Sequence, residues 1–349
     1  MPGELRGDIV VVRDQSEGNR LYIKGNYGYP MKRGGLELDL FEALYLLESG
    51  RLEVFDNDKR MEFEQLFSYS SSNCSEFDIK YMVFRDLRSR GMVVKMESGD
   101  FDMSVFPRGM TMSNSRPTYL IRAVSERSAF DINMFASELE QTEEKGKMLI
   151  YGVADEEGDI VYYRMSHCDP RGNVFADRRE SVKATLVRDR IFVFDPNDAR
   201  RLYENGFFGR LIDNVLQMSM IEACYLMKMK LLTLVSSANG KKIDLETMLQ
   251  AGRDSQEEFD LRLKAYSDAR SKGLVVKTGF KYGTHFRAYE GSPEDVHARY
   301  LMHAVDNSER TMWPEISRAV RLSGGVKKDF LFAMIGQDVE YFEFQWIRP

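Results

Sequence analysis

An internal repeat limits the fold of this 349-residue chain more than any other feature of its sequence. The segment EFDIKYMVFRDLRSRGMVVK, which begins at Glu76, returns as EFDLRLKAYSDARSKGLVVK, which begins at Glu258. Gly91 and Gly273 hold the same place in the two copies, 182 positions apart (273 − 91). Three more pairs occur in the same order in the two copies: GDIVVV with RDRIFVF and LFEALYLL with MIEACYLM before this segment, and KMLIYGVADEEGDIVYYRM with KKDFLFAMIGQDVEYFEFQ after it. Ordered matches along the whole chain predict a duplicated structural unit.

The boundary between the two copies is predicted in the segment SHCDPRGNVFADRRE, where Pro170 and Gly172 interrupt regular structure among charged residues. We therefore expect a first repeat over 1–168 and a second over 169–349. The second repeat divides further into an N-terminal part at about 180–277 and a rear part at about 278–349.

Each repeat mixes helical and stranded patterns. Phe77, Tyr81 and Phe84 recur at i, i+4 and i+7, as do their counterparts in the second copy, so this segment is predicted to be a helix with one apolar face. A glycine then ends the helix, and MVVK or LVVK continues as a strand. In the second copy, strands are predicted at HFRAYE, HARYLMHAV, KKDFLFAMI and VEYFEFQWI, with a helix at WPEISRAVRL. The fold class is α/β (α+β), each unit having an N-terminal mixed α/β subdomain and a C-terminal mixed-sheet subdomain.

Composition excludes two classes of protein. No apolar run approaches the roughly 20 residues of a membrane helix, and the amino terminus has no secretory pattern, so we expect a cytoplasmic protein with no membrane partner. The net charge of −6 argues against broad nucleic-acid binding, because phosphate neutralisation needs a basic surface. Any contact with RNA is therefore expected to be local.

Three blocks near the carboxyl end carry a family resemblance: GLVVKTGFKYGTHFRAYEG, HARYLMHAV and RAVRLSGGVKKDFLFAM. With them, nearly the whole chain resembles the archaeal tRNA-splicing endonucleases, or tRNA-intron lyases, of the two-repeat homodimeric type. The resemblance implies a nuclease-like rear subdomain and a catalytic trio of Tyr289, His297 and Lys328. Because this chain has VKK where the family usually has VRK, Lys327 is a second candidate for the lysine.

The chemistry implied by the resemblance is metal-independent RNA cleavage without a cofactor. The substrate is precursor tRNA with a bulge-helix-bulge, and the products carry a 2′,3′-cyclic phosphate and a 5′-hydroxyl. Tyr289 would be the general base, His297 the general acid and Lys328 the electrostatic stabiliser. A tyrosine with an ordinary pKa near 10 is a poor base at neutral pH, so this role requires nearby cations that lower its pKa.

Other interpretations of these residues are structural or belong to another class of protein. A tyrosine in a strand is usually a core aromatic, a single histidine a satisfied polar group, and a lysine pair a solvated surface. Alternation places His285 on the same face as Arg287 and Tyr289, where His285 and Arg287 are expected to contact RNA. His285, His297 and His303 could form a metal site on paper, but no clustered carboxylate or thiolate completes it, so no metal is expected. The alternative functions are a non-catalytic structural or RNA-binding subunit of the same splicing assembly and, more distantly, a metal-dependent DNA nuclease.

The first repeat is expected to be catalytically inactive. Shifting the trio by about 182 positions reaches the neighbourhood of Pro107, Ser115 and Lys147, so the tyrosine and the histidine have no counterparts. In the family, an acidic turn of the inactive copy docks on the catalytic copy of the other chain. The resemblance therefore implies a homodimer with a pseudo-tetrameric arrangement of repeats, assembled through the turn ADEEGD, which contains Asp155, Glu156 and Glu157. Residues 96–146 differ most between the copies and suggest no role.

A pair of side chains is expected to hold a flipped bulge base. In the family, an arginine at the position of Arg321 pairs with a second arginine near the carboxyl end, and the two cations sandwich the base. This chain has Trp346 at the second position, where an indole could stack instead. The alternative is that Phe342, Phe344 and Trp346 alternate on one face and fill the core.

Overall fold

The structure is a computed structural model that describes residues 1–32, 34–175 and 180–349. It divides into two compact units. The first consists of Met1–Phe130, Met134–Arg164 and Trp346–Pro349, and the second of Asp131–Asn133 and Met165–Gln345. Residues 176–179, which belong to the segment predicted to separate the repeats, lie outside the described residues.

The front of the first unit is a mixed sheet with helices packed on it. Its strands are β1 (Pro2–Arg6), β2 (Ile9–Val12), β3 (Tyr29–Pro30), β4 (Leu36–Asp39), β5 (Glu53–Asp56) and β6 (Lys59–Met61), in the order β3-β4-β2-β1-β5-β6. Its helices are α1 (Gln15–Gly25), α2 (Leu40–Glu48), α3 (Phe63–Asn73) and α4 (Phe77–Ser89). Strands β1 and β5 are parallel, whereas β1 and β2 form an antiparallel hairpin.

The predicted helix with one apolar face is α4. Phe77, Tyr81 and Phe84 are all buried on that face, in the hydrophobic core of the first unit. The helix ends at Ser89, and Gly91 follows with a φ of 83°, a left-handed conformation that a glycine adopts without steric cost. The helix and its end are as the sequence predicts.

The rear of the first unit has a second set of paired strands. Its elements are β7 (Val94–Met96), β8 (Met103–Val105), β9 (Tyr119–Ser125), β10 (Ala129–Asp131), α5 (Ile132–Glu144), β11 (Met148–Ala154) and β12 (Ile160–Cys168). Strands β7, β8, β9, β11 and β12 are neighbours in that order, and β9 runs parallel to β11.

The second unit repeats this arrangement. The front contains β13 (Val182–Val187), β14 (Arg190–Val193), α6 (Pro196–Gly206), β15 (Arg210–Ile212), β16 (Val215–Met218), α7 (Met220–Lys228), β17 (Leu232–Ser236), β18 (Lys242–Ile243), α8 (Leu245–Ser255) and α9 (Phe259–Ser271). The rear contains β19 (Val275–Thr278), a 3₁₀ turn at Phe280–Tyr282, β20 (Phe286–Tyr289), β21 (Tyr300–Asp306), β22 (Arg310–Met312), α10 (Trp313–Gly325), β23 (Asp329–Ile335) and β24 (Val339–Ile347). The front strands follow the order β15-β16-β14-β13-β17-β18, which matches the first unit element for element. The predicted fold class and duplication are confirmed.

One predicted strand differs in its start. Strand β21 begins at Tyr300, so His297 lies before the strand rather than on it. The preceding residues form a turn in which the amides of Asp295 and Val296 donate to the carbonyl oxygen of Ser292. Pairing with β20 resumes only where the amide of Arg299 donates to Ala288.

Within the described residues, no helix combines the length and the apolar character needed to cross a membrane.

Candidate active site

Tyr289 is the last residue of β20, where it pairs with Val275 of β19. Its side chain is 7% exposed and packs with Val275 and Ala298 in a small apolar cluster that Val174 and Phe207 border. The segment that carries Val174 is held close because Gly172 approaches Gly273 so tightly that a Cβ on Gly172 would lie 2.3 Å from the carbonyl oxygen of Gly273. The candidate base is therefore fixed and largely shielded from water.

Burial raises the pKa of Tyr289, because it disfavours the charged phenolate. The guanidinium carbon of Arg287 lies 5.8 Å from the centre of the Tyr289 ring and acts in the opposite direction, but it does not offset the burial. The lowered pKa that the role of general base requires is therefore not found for Tyr289 in this structure. Tyr289 therefore holds its proton at neutral pH in the structure without RNA.

His297 and Lys328 lie in the segments that lead into the next two strands. His297 is exposed, in the turn that precedes β21. Lys328 is half-buried and immediately precedes β23, and its Nζ lies 6.0 Å from the centre of the Tyr282 ring. Lys327 is exposed and has a φ of 54°, where the chain turns out of α10. Of the two lysines, Lys328 is therefore the less exposed and the one that lies near another side chain, that of Tyr282.

Backbone hydrogen bonds bring the three candidates to one end of three adjacent strands. The amide of Arg299, two residues after His297, donates to the carbonyl of Ala288, which precedes Tyr289, at 3.0 Å. The amide of Asp329, which follows Lys328, donates to the carbonyl of Arg299 at 2.8 Å. Strand β21 lies between β20 and β23, antiparallel to the first and parallel to the second. The predicted trio is thus gathered at one edge of the rear sheet.

Arg299 is a residue at this edge that sequence reasoning missed. Its guanidinium lies 2.6 Å from a carboxylate oxygen of Glu290 and 3.3 Å from one of Asp329. It therefore links the residue after Tyr289 to the residue after Lys328 and compensates two negative charges beside the site. The only sequence signal was its place two residues after His297 in the HARYL block.

His285 packs inside the fold. Its ring stacks on that of His303 with 4.0 Å between centroids, and its Nδ1 accepts the amide of Ala304 at 3.1 Å. Burial lowers the pKa of His285 to about 3 and that of His303 to about 4, so both rings are neutral at neutral pH. Because the His285 side chain is only 10% exposed, little of it is accessible to RNA. The half-buried Arg287 stays a predicted RNA contact beside Tyr289.

No metal site is formed by the residues that the structure describes. Within 1–32, 34–175 and 180–349, no group of three or more histidine, cysteine, aspartate or glutamate side chains could hold a metal ion. The set of His285, His297 and His303 considered from the sequence is therefore not assembled as a ligand cluster.

The two residues predicted to hold a bulge base are both accessible. Arg321 is exposed on α10, and Trp346 is 50% exposed on β24, with the guanidinium carbon of Arg348 4.9 Å from its ring. Phe342 and Phe344 are fully buried. The interpretation in which all three aromatic residues fill the core is therefore wrong for Trp346.

The acidic turn after β11 is built partly by its own side chains. A carboxylate oxygen of Asp155 accepts the amides of Glu157 at 3.0 Å and Asp159 at 2.9 Å, and Gly158 has a φ of 87°. Glu156 forms an ion pair with Arg127 of the same unit. Asp155 therefore shapes the turn, while the exposed Glu156 and Glu157 are the carboxylates that it presents to solvent.

Comparison with known proteins identifies the family. Residues 77–162 and 259–341 match the family described as "tRNA intron endonuclease, catalytic C-terminal domain". Residues 1–67 and 182–249 match the family described as "tRNA intron endonuclease, N-terminal domain". The chain belongs to the tRNA intron endonuclease family. The tRNA-splicing endonuclease of Methanococcoides burtonii is 34% identical to it over 98% of both chains. The tRNA-splicing endonuclease of Methanosarcina mazei is 33% identical over 97% of both chains. That of Halobacterium salinarum is 30% identical over 95% of this chain and 94% of the relative.

The tRNA intron endonuclease match covers both repeats, and the prediction that the chain is an RNA endonuclease is confirmed. All three candidates lie in the second match to the catalytic domain, at 259–341. Their roles stay predictions, as does the division of the chain at residues 168 and 169.

Strand register identifies the counterparts of the trio in the first repeat. The amide of Thr118 donates to the carbonyl oxygen of Val105, just as the amide of Arg299 donates to that of Ala288. The amide of Met148 donates to the carbonyl oxygen of Thr118, just as the amide of Asp329 donates to that of Arg299. By this register, the counterparts of Tyr289, His297 and Lys328 are Phe106, Arg116 and Lys147. Phe106 and Arg116 each lie one residue from Pro107 and Ser115, the positions that the shift of about 182 residues indicated. The first repeat keeps the lysine but has neither the phenol nor the imidazole.

Proposed function

We propose that the second repeat cleaves precursor tRNA at bulge-helix-bulge sites and so removes introns. The observation that carries the proposal is the backbone pairing that gathers Tyr289, His297 and Lys328 at one end of β20, β21 and β23. The tRNA-splicing endonucleases that align with nearly the whole chain support the choice of substrate.

The reaction is an internal transfer of the phosphoryl group without a metal. The 2′-hydroxyl oxygen attacks the adjacent phosphorus and gives its proton to the Tyr289 phenolate, while the bond from phosphorus to the 5′ oxygen breaks. His297 donates a proton to that leaving oxygen, and Lys328 stabilises the additional negative charge on the phosphorane. The products are a 2′,3′-cyclic phosphate and a 5′-hydroxyl.

The raised pKa of Tyr289 has a consequence for this mechanism. Only a small fraction of the enzyme therefore carries the Tyr289 phenolate at neutral pH. This small fraction limits the rate of the chemical step, because only the phenolate can accept the proton of the 2′-hydroxyl.

The deciding experiment incubates the purified protein with an intron-bearing precursor tRNA in EDTA and analyses the ends of the products. Cleavage that leaves a cyclic phosphate supports the proposal. A non-catalytic subunit would bind without cutting, and a metal-dependent nuclease would be inhibited by the chelator.

The assembly that fits this reaction is a cytoplasmic homodimer. A substrate with two bulges needs two cutting sites, and a two-fold axis through two chains supplies one from each second repeat. We expect Glu156→Gln with Glu157→Gln to weaken dimerisation in light scattering, while Asp155 is retained because it bonds the turn. An active monomer would contradict the dimer but not the chemistry.

A further inference from the structure

The rear of the second unit contains a cavity of about 310 Å³ between α10 and its sheet. Ile316, Ala319 and Leu322 line it from α10, and Phe330 and Phe332 line it from β23. This volume is near the lower end of the roughly 300 to 1,000 Å³ of small-molecule sites. The cavity has room for a nucleobase.

At the place of this cavity, the first repeat has an ion-paired cluster, whereas the second repeat has uncharged side chains at the corresponding positions. In the first repeat, the hydroxyl of Thr142 donates to the carbonyl oxygen of Glu138. In the second, the hydroxyl of Ser323 donates in the same way to the carbonyl oxygen of Ala319. Ala319 is therefore the counterpart of Glu138. In the first repeat, Glu138 fills this place, where it pairs with Arg122 at 2.9 Å and bonds the hydroxyl of Tyr151.

The sheet side has changed in the same way. Strand register places His303 where the first repeat has Arg122, and Phe332 where it has Tyr151. The second repeat has thus lost a carboxylate, a guanidinium and a phenol hydroxyl at adjoining positions. The repeat with this cavity also carries the candidate catalytic residues.

The cavity also lies next to the candidate active site. Tyr282 lines it, and the ring of Tyr282 is 6.0 Å from Nζ of Lys328. If Lys328 contacts the phosphate that is cut, as proposed above, the base of a nearby nucleotide can reach the part of the cavity that Tyr282 lines.

The lining combines aromatic surface with a few hydrogen-bonding groups. Phe330 and Phe332 offer ring edges and faces, and His303 offers a neutral imidazole. Glu309 and Thr311 add a carboxyl group and a hydroxyl, and burial raises the pKa of Glu309. Aromatic surface binds any nucleobase by stacking, whereas a carboxylate accepts a hydrogen bond from an amino group of adenine, cytosine or guanine.

We propose that this cavity is a binding pocket for an unstacked, amino-bearing base of the RNA bulge, held between α10 and β23 with Glu309 as the acceptor for its amino group. The inference rests on the proposed function, because it takes the RNA strand to lie along Lys328. It is separate from the pair Arg321 and Trp346, neither of which lines the cavity.

The test fills the cavity and removes the base in a crossed design. The full-length chain is titrated with precursor tRNA that carries a 2′-deoxy nucleotide at each cleavage position, so that binding is measured without cutting. Each bulge position is then replaced in turn by an abasic nucleotide. We expect one abasic position to weaken binding by the wild-type chain about ten- to a hundredfold.

The variant that fills the cavity is Ala319→Leu, with Ala319→Ser as the matched control that preserves its volume. Ala319→Leu should bind the intact RNA about ten- to a hundredfold more weakly and lose nothing further with the abasic RNA. Ala319→Ser should behave like the wild type. Wild-type binding by Ala319→Leu would overturn the pocket, as would a change in oligomeric state that accounts for the loss, because the cavity would then be an assembly surface.

A second variant keeps the test decisive if leucine lowers the melting temperature. Glu309→Met removes the carboxylate acceptor and keeps a side chain of similar length, and it should abolish the preference for adenine, cytosine or guanine over uracil at the sensitive position. An unchanged preference would overturn the role of Glu309 and with it the proposed specificity. Failure of the wild-type chain to bind or cut any precursor tRNA would reject the proposed function and the pocket together, whereas normal cutting with no abasic effect would reject the pocket alone.

Discussion

The rear sheets of the two repeats share their hydrogen-bonding pattern and differ in the side chains that it positions. Asp102 accepts the amide of Ala123 at 2.9 Å in the first repeat, and His285 accepts the amide of Ala304 at 3.1 Å in the second. Both copies therefore meet the same backbone requirement, with a carboxylate in one and a neutral imidazole in the other.

The partners of these two acceptors differ in charge. In the first repeat, Asp102 lies 3.1 Å from Lys80 and 3.6 Å from Arg122, within a cluster of ion pairs. In the second, His285 stacks on His303. A buried donor must have an acceptor, which keeps the backbone alike, but the chemical type of the acceptor is free to change. Among the described residues, the first copy thus has an ion-paired cluster at this place, whereas the second has two stacked histidines beside a cavity.

The largest expected effect is a difference in cleavage rate between variants of His297 and variants of its counterpart Arg116. We expect His297→Ala to lower the single-turnover cleavage rate by roughly 10² to 10⁴-fold, because a positioned general acid is lost, while RNA binding and melting temperature stay close to wild type. Arg116→Ala, the matched change in the first repeat, should leave the rate unchanged. Equal losses in both variants would show that the two copies share the catalytic work and would break the comparison.

The lysines give a sharper test, since both copies have one. Lys328→Ala should reduce cleavage on the order of 10² to 10³-fold through loss of charge stabilisation, whereas Lys147→Ala should not. Lys327→Ala is the neighbouring control, and we expect a small effect because that side chain is exposed. A large loss at Lys327 with none at Lys328 would move the role by one residue.

Much of the fold was predictable because the chain contains the same sequence pattern twice. The apolar face of α4 and the glycine after it are local patterns, and the second copy confirms the reading of the first. The burial of Tyr289 was not predictable, because Val174 and Phe207, which border its cluster, are far from it in sequence. For the same reason, the sequence could not reveal that His285 stacks on His303 or that Arg299 bridges Glu290 and Asp329.

A smaller effect is expected at Trp346, whose counterpart is His167. Tyr162 and Tyr341 donate to Asp86 and Asp268 at 2.7 Å in the two copies, and this shared bond sets the register of the last strands. Trp346→Ala should weaken binding of bulged RNA by roughly 1 to 3 kcal/mol, the usual loss for one stacked base.

Two further variants decide whether that loss reflects stacking. Trp346→Arg should retain most binding, because a guanidinium also stacks on a base, and the half-exposed position should tolerate its charge without a lower melting temperature. His167→Ala serves as the matched change in the first repeat and should leave RNA affinity unaltered. A collapsed melting temperature in Trp346→Arg would mean that the indole supports the fold rather than the RNA.

The smallest expected effect concerns the pH dependence of stability. The pKa values of His285 and His303 are lowered by burial to about 3 and about 4, whereas a histidine in the unfolded chain has a pKa near 6.5. As the pH falls below about 6.5, the unfolded chain binds protons that the folded chain does not bind, so the free energy of unfolding decreases. At about pH 5, each histidine should account for a loss of about 1 to 2 kcal/mol.

His303→Leu removes one of these two groups and leaves His285 to accept the amide of Ala304. The variant should therefore lose less stability than the wild type when the pH is lowered from about 7 to about 5, by several degrees in melting temperature. Any change in packing caused by the leucine is present at both pH values and cancels in this difference. If the wild type and His303→Leu lose the same number of degrees, the imidazole is protonated in the folded state, and the contrast between a charged first repeat and a neutral second repeat does not hold at this position.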